Sequence, residues 1–248
     1  MMKADDVSSP VSSYSMAAQF YDAVSLNTRD HVHQTISRSL QLLNSVQGPI
    51  VDIGAGTGLT TELIATADPT REVFAVEPDS AMRSSLMTRV CASPEMRAQI
   101  SIIPMHIMDA PLPPRIAGAV LGASLVHFSP RERASLWQLL ARRLNPRGVI
   151  IVEIQCAKAE AIPEVQIAAT RVGRVDYICL AGAEKIAKDQ QRWTLTYRAT
   201  LDGSELATEH CIYDCWATEP EELAAEAKIA GLDAYQDDCL LILNPDLR

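Results

Sequence analysis

The sequence has no apolar run approaching the roughly 20 residues that span a bilayer. Residues 1–13 lack the apolar core of a secretory signal and read as a polar, frayed tail. The six cysteines, Cys91, Cys156, Cys179, Cys211, Cys215 and Cys239, contain no Cys-x-x-Cys pair, so neither a thiol redox motif nor a cysteine zinc knuckle is indicated. Nor is there a dense Lys/Arg run. Lysine and arginine total 22 against 31 acidic residues, a formal charge of −9, which repels phosphate backbones and anionic lipid. Nucleic acid and membrane are therefore poor partners, and a reducing cytoplasm is the simplest compartment. Internal repeats and low-complexity blocks are missing too.

What is present is an alternation. Short apolar runs at 50–53, 73–76, 100–103, 119–125 and 149–154 are separated by helical patterns at 59–67, 80–90 and 130–144. Apolar strands alternating with helices predict a parallel sheet covered on both faces. Arg142 and Arg143 suit the last turn of the third helix, and Asn145-Pro146-Arg147-Gly148 is expected to end it. Before the first strand, helical spacing over 14–46 predicts two helices, the second capped by Asn27 or Thr28. After Cys156 the character changes. Residues 158–169 suggest a helix. Then 193–201 and 206–217 flank Asp202-Gly203, a hairpin signal. A last helix from Pro220 to Ala230, capped by Thr218 or Glu219 and stopped by Gly231, precedes a strand at 239–243.

Three glycines fall between the first strand and helix, in Asp52-Ile53-Gly54-Ala55-Gly56-Thr57-Gly58. A loop without side chains lets a ligand approach the backbone, and in an open α/β sheet it lies where ligands collect. A tight ligand-free turn is the alternative, but three alternating glycines exceed what a turn needs. Leu59 occupies the place of the third glycine of a dinucleotide motif, and no Gly-Lys-Ser/Thr is present, so neither a nicotinamide site nor a phosphate loop is indicated. The second strand ends at Glu77, where a carboxylate can accept both hydroxyls of a ribose.

With Val76-Glu77-Pro78-Asp79-Ser80-Ala81-Met82, Asp109-Ala110 and Ala18-Gln19-Phe20-Tyr21-Asp22, the loop resembles the class I S-adenosylmethionine-dependent methyltransferases, small-molecule (natural-product) branch. The resemblance covers residues 14–155 well and 193–243 more loosely. It implies a Rossmann-like, doubly wound, mostly parallel α/β sheet of about seven strands, with N-terminal lid helices (14–47) and an inserted antiparallel cover (157–217) in a single domain over 14–248. It implies S-adenosylmethionine as cofactor and S-adenosylhomocysteine as product. Cofactor contacts are implied from Tyr21, Asp52, Gly54, Gly56, Gly58, Glu77, Pro78, Met82, Met108, Asp109, Ala110 and Ser124, with Asp109 at the adenine amino group and Tyr21 closing over the cofactor. The stretch Arg115-Ile116-Ala117-Gly118 lacks the acid that relatives often carry before the fourth strand.

His127, near the end of the fourth strand, is the first candidate for the acceptor side, as a base or a positioning group. A histidine bonded to backbone is the alternative. Tyr14 lies two turns from Tyr21 on one helix face and is the second catalytic candidate. Trp193, Tyr197, Tyr213 and Trp216 are candidates for a substrate wall or dimer surface. His31 and His33 point to different helix faces, and no metal is expected. The expected activity is methyl transfer to nitrogen or oxygen of a small organic molecule, by a monomer or homodimer. A rearrangement or elimination catalyst on the same fold, or a non-catalytic binding protein, are the alternatives.

Overall fold

The computed structural model describes residues 14–26 and 28–245. The tail 1–13 and the candidate cap Asn27 lie outside the described residues. The helices are α1 (Tyr14–Ser25), α2 (Asp30–Leu40), α3 (Leu59–Ala67), α4 (Ser80–Ala92), α5 (Pro94–Gln99), α6 (Pro130–Ala141) and α7 (Pro220–Ile229). The strands are β1 (Ile50–Ile53), β2 (Val73–Val76), β3 (Ile100–Ile103), β4 (Ile116–Leu121), β5 (Leu144–Glu153), β6 (Ile162–Val172), β7 (Val175–Lys185), β8 (Gln190–Leu201), β9 (Ser204–Trp216), β10 (Leu232–Asp237) and β11 (Leu240–Pro245).

Seven strands form one sheet in the order β10-β11-β5-β4-β1-β2-β3. The five from β3 to β5 are parallel, and the β10–β11 hairpin adds antiparallel to β5. Alternate residues feed two cores, as the pleat requires. Ile150 and Val152 of β5 pack with Trp137, Leu140 and Leu223 on one face, while Val149 and Ile151 pack with Ile36, Leu40, Ile64 and Leu86 on the other. Strand order reverses at β1, whose neighbours are β2 and β4, so a crevice opens beyond the carboxyl ends of β1 and β4.

The remaining strands form a separate antiparallel sheet, β6-β7-β8-β9. Asp202 and Gly203 both adopt positive φ (50° and 81°), as a two-residue hairpin turn needs. Helix α1 lies on this sheet through Ala17, Phe20 and Val24, with Phe20 stacked on Tyr197 at 5.5 Å. No described helix is long and apolar enough to cross a membrane.

Several local expectations change. The expected helix at 158–169 is instead the start of β6. Its alanine-, lysine- and glutamate-rich sequence favours helix locally, but pairing with β7 from Ile162 to Val172 overrides that. Pro163 is tolerated because β6 is an edge strand. Helix α6 stops at Ala141, before Arg142 and Arg143. Residues 145–148 lie within β5 at a register shift between its Leu144 and Val149 pairings, where they do not act as a turn. The fourth strand spans Ile116–Leu121 and not 119–125, because Gly122 and Ala123 (φ 66°) turn the chain. Thr28 does not cap α2; its hydroxyl donates back to Val24 O at 3.3 Å, and Arg29 holds the cap position. β10 was not expected.

Candidate active site

The glycine loop is built by backbone demands. Gly54, Gly56 and Gly58 all have positive φ (71°, 57° and 92°), a region that disfavours side chains. A Cβ on Gly54 would lie 2.6 Å from that of Ser124, and one on Gly58 would lie 2.6 Å from Leu86 Cδ1. A Cβ on Gly56 would meet nothing within 4 Å; this glycine borders open space.

The loop is tied to the end of β2. Gly54 N and Ala55 N donate to Val76 O. Gly56 N donates to Glu77 Oε2 at 2.8 Å, and Asp79 N donates to Glu77 Oε1 at 2.7 Å. Burial pushes the Glu77 pKa up, partly opposed by these two amides. Asp52 sits beneath the loop, 1 % exposed. Thr61 Oγ1 donates to its Oδ2 at 2.5 Å, while Oδ1 has no partner. Burial raises the Asp52 pKa to about 7.

Helix α1 is pinned over the loop by Asp22, which accepts from Thr57 Oγ1 and from Arg89, both at 2.5 Å. Arg89 also donates to Thr57 O at 3.0 Å. The Tyr21-Asp22 pair thus divides its work: Tyr21 enters the cleft and Asp22 fastens the helix outside it.

On the opposite side, Tyr14 Oη and His127 Nε2 are 2.9 Å apart. Their rings meet edge-on, and Tyr213 from β9 packs against both, with centroids at 5.3 and 5.5 Å. His127 is exposed on its outer side, and the protein packed around the rest of the ring pulls its pKa down to about 4. Burial pushes Tyr14 well above the ordinary phenol value, with Tyr213 adding to it. His127 stands on a short 3-10 turn, Leu125–His127, just beyond β4.

Together these walls enclose a cleft of about 400 Å³. Of the residues singled out by sequence, Tyr14, Tyr21, Gly54, Gly56, Glu77, Pro78, Met82, Ser124 and His127 line it. Ser124 Oγ donates to Ile53 O at 2.6 Å and holds the ends of β1 and β4 together. Asp52 lies behind the wall and Gly58 faces α4. Met108, Asp109 and Ala110 fall outside the lining; His106 and Ile107 reach it instead. Trp193 and Trp216 also fall outside it, whereas Tyr197 and Tyr213 line it. Arg29 and Gln155 were not anticipated. Arg29 lines the cleft while paired in two bonds to Glu153, at 3.1 and 2.6 Å. A lone arginine between helices carries no sequence signal for this.

Residues 50–148 match a family model described as a methyltransferase domain. Over that stretch the chain is similar to methyltransferase domains. S-adenosylmethionine is the cofactor that this likeness implies, and the residues present fit that group. The glycine loop leaves an open space at Gly56, and one buried oxygen of Asp52, at the end of β1, has no partner. A search of curated proteins finds no match. Among solved structures, the domain is similar to DesVI of Streptomyces venezuelae (14% identity, TM-score 0.75, covering 95% of this chain and 99% of that one). It is also similar to the sugar N-methyltransferase KedS8 from a Streptoalloteichus species (16%, TM-score 0.69, 99% and 96%). A third is CalS10, an amino pentose methyltransferase from Micromonospora echinaspora solved with S-adenosylmethionine bound (14%, TM-score 0.70, 92% and 97%). These likenesses establish a shared fold that includes the second sheet.

Among the described residues, His31, Asp238 and Cys239 bring three donor atoms within 4.8 Å of one another. None of the three lines the cleft described above.

Proposed function

We propose that the protein methylates a nitrogen or oxygen of a small organic molecule held between the glycine-loop wall and the second sheet. The observation that carries this reading is the pairing of walls in one cleft, with Glu77 and the loop on one side and the Tyr14–His127–Tyr213 cluster on the other. A cleft of about 400 Å³ shared with a nucleoside cofactor suits a compact acceptor rather than a polymer. The similarity to sugar methyltransferases is consistent with that size class.

The bound cofactor supplies an electrophilic methyl group on a sulfonium. Glu77 accepts hydrogen bonds from the ribose hydroxyls with the carboxylate oxygens that Gly56 N and Asp79 N orient. Gly56 lets the ligand lie against the backbone, and Tyr21 covers it. The lid role of 14–47 and the cover role of 157–217 belong to this reading. Tyr14 and His127 hold the acceptor in line, and orientation alone supplies up to ~7–11 kcal/mol in favourable cases. An imidazole held neutral at working pH is a hydrogen-bond acceptor, so His127 orients the Tyr14 hydroxyl and does not serve as a strong base.

Two measurements test this. Incubation with S-adenosylmethionine and a panel of amino sugars and phenols should yield S-adenosylhomocysteine only where a methylated product forms. Glu77→Ala should weaken cofactor binding in calorimetry by about 100-fold or more, the scale for losing two bonds to a charged group. Unchanged affinity in Glu77→Ala would place the ribose elsewhere.

A further inference from the structure

The base-binding end of the cleft differs from what Asp109 implies, and the difference is chemical. Under the proposed function Glu77 holds the ribose, so the base attached to it occupies the adjoining slot. That slot lies between Pro78 and Met82 after β2 and His106 and Ile107 after β3, with Phe128 at its side. Its walls are mostly apolar, as a flat heterocycle requires. Asp109 is exposed on the 3-10 turn Ile107–Asp109 and does not face the slot. Asp79 also lines the cleft, but its Oδ1 is turned to cap α4, accepting from Ala81 N and Met82 N, both at 2.9 Å.

His106 does line the slot, and its ring is oriented on two sides. Nδ1 accepts from Met108 N at 3.5 Å, capping the turn that follows. The ring packs against Phe128 at 5.7 Å. A ring nitrogen that accepts a hydrogen bond carries no proton, so the neutral imidazole carries its hydrogen on Nε2. The side chain therefore offers the slot an N–H donor, where a carboxylate would offer only acceptors.

We propose that His106 is the base-reading residue of this cleft, an Nε2–H donor paired with an acceptor on the purine edge. A carboxylate selects the 6-amino group of adenine, a donor. A donor selects a ring nitrogen or a 6-oxo group. The site is thus more permissive toward 6-oxo purines than a carboxylate-lined one. This inference rests on the nucleoside cofactor of the proposed function and concerns only which edge of its base is read.

The test is calorimetric binding of S-adenosylhomocysteine and its 6-oxo, inosine counterpart to wild type, His106→Asp and His106→Phe, needing no acceptor and no turnover. Wild type should bind the two within about 3-fold of each other, and His106→Asp should favour the amino compound by about 10-fold. His106→Phe keeps a ring against Phe128 but removes the donor, and should weaken the 6-oxo compound by about 3- to 10-fold. Nitrogen NMR of the labelled imidazole should show the Nε2-protonated tautomer. Overturning results are a wild type that rejects the 6-oxo compound by more than about 10-fold, a ratio untouched by either variant, or the other tautomer. Failure of wild type to bind S-adenosylhomocysteine at all would sink the cofactor reading itself. Binding with an unaltered ratio would sink this inference alone.

Discussion

The two walls of the cleft are made of different material. The wall beyond β1 and β2 is largely backbone: three left-handed glycines, amides bonded to Glu77, and carbonyls that fix the loop. The wall formed by α1, the turn after β4 and the second sheet is largely side chain: Tyr14, His127, Tyr197 and Tyr213. A backbone wall holds one ligand shape and tolerates little change. A side-chain wall can be re-cut residue by residue. A cofactor common to many enzymes suits the first, and an acceptor that differs between them suits the second.

Breaking the backbone wall should give the largest effect. Gly54→Val places a Cβ against Ser124 and forces a β-branched residue to φ 71°. Strain and overpacking together should cost about 2–5 kcal/mol. Urea unfolding reads that loss, and cofactor binding should be abolished with it. Stability within about 0.5 kcal/mol of wild type would show that the loop is less constrained than its geometry says.

Breaking the side-chain wall should separate binding from turnover. Tyr14→Phe and His127→Gln should each lower kcat by about 10- to 100-fold once an acceptor is in hand, on the scale of a lost positioning contact. Cofactor affinity should stay within about 3-fold, less than one neutral hydrogen bond. Because His127 is held near pKa 4, its titration should add no rising limb to the rate between pH 5 and 8. A limb in that window that His127→Gln removes would restore the histidine as a base.

Asp52 sharpens the comparison from beneath the backbone wall. Its folded pKa, about 7, is raised above the ordinary 3.8, so the folded state holds the extra proton between those values. Its contribution to stability is therefore fully present below about pH 4 and lost as pH rises through 7. Asp52→Asn should gain melting temperature relative to wild type between pH 5 and 8. A constant difference across that range would show that the carboxyl is already ionised at pH 5. The smallest effect belongs to Asp22→Asn. Asp22 is partly exposed, so releasing its bond to Arg89 should cost about 1 kcal/mol or less. It should loosen α1 enough to weaken cofactor binding by about 3-fold or less, a shift calorimetry still resolves.

Legibility in sequence follows the same division. β1, β2, β3 and α3 were readable to the residue, because apolar runs and glycine punctuation are local signals. The Asp202-Gly203 hairpin was readable for the same reason. β6 was not: its residues prefer helix in isolation, and only the partner strand β7 makes them extended. The site divides likewise. Gly54, Gly56, Glu77 and Tyr21 sit in motifs, and all line the cleft. Asp109 sits in a motif and does not, while His106, three residues earlier, does. Tyr213 was a substrate-wall candidate and lines the cleft, whereas Arg29 and Gln155 come from separate elements with no pattern linking them.

Sequence alone determined the parallel α/β sheet, the glycine loop after β1 and the acid at the end of β2. These depend on hydrophobic period and on which residues tolerate positive φ, both written into a few consecutive positions. Only the tertiary structure decided that Tyr14, His127 and Tyr213 form one cluster and that His106, not Asp109, lines the cleft. Those outcomes depend on where α1 docks on the second sheet and how the chain turns after β3. Such long-range packing joins residues as far apart as 14 and 213, and no local pattern encodes it.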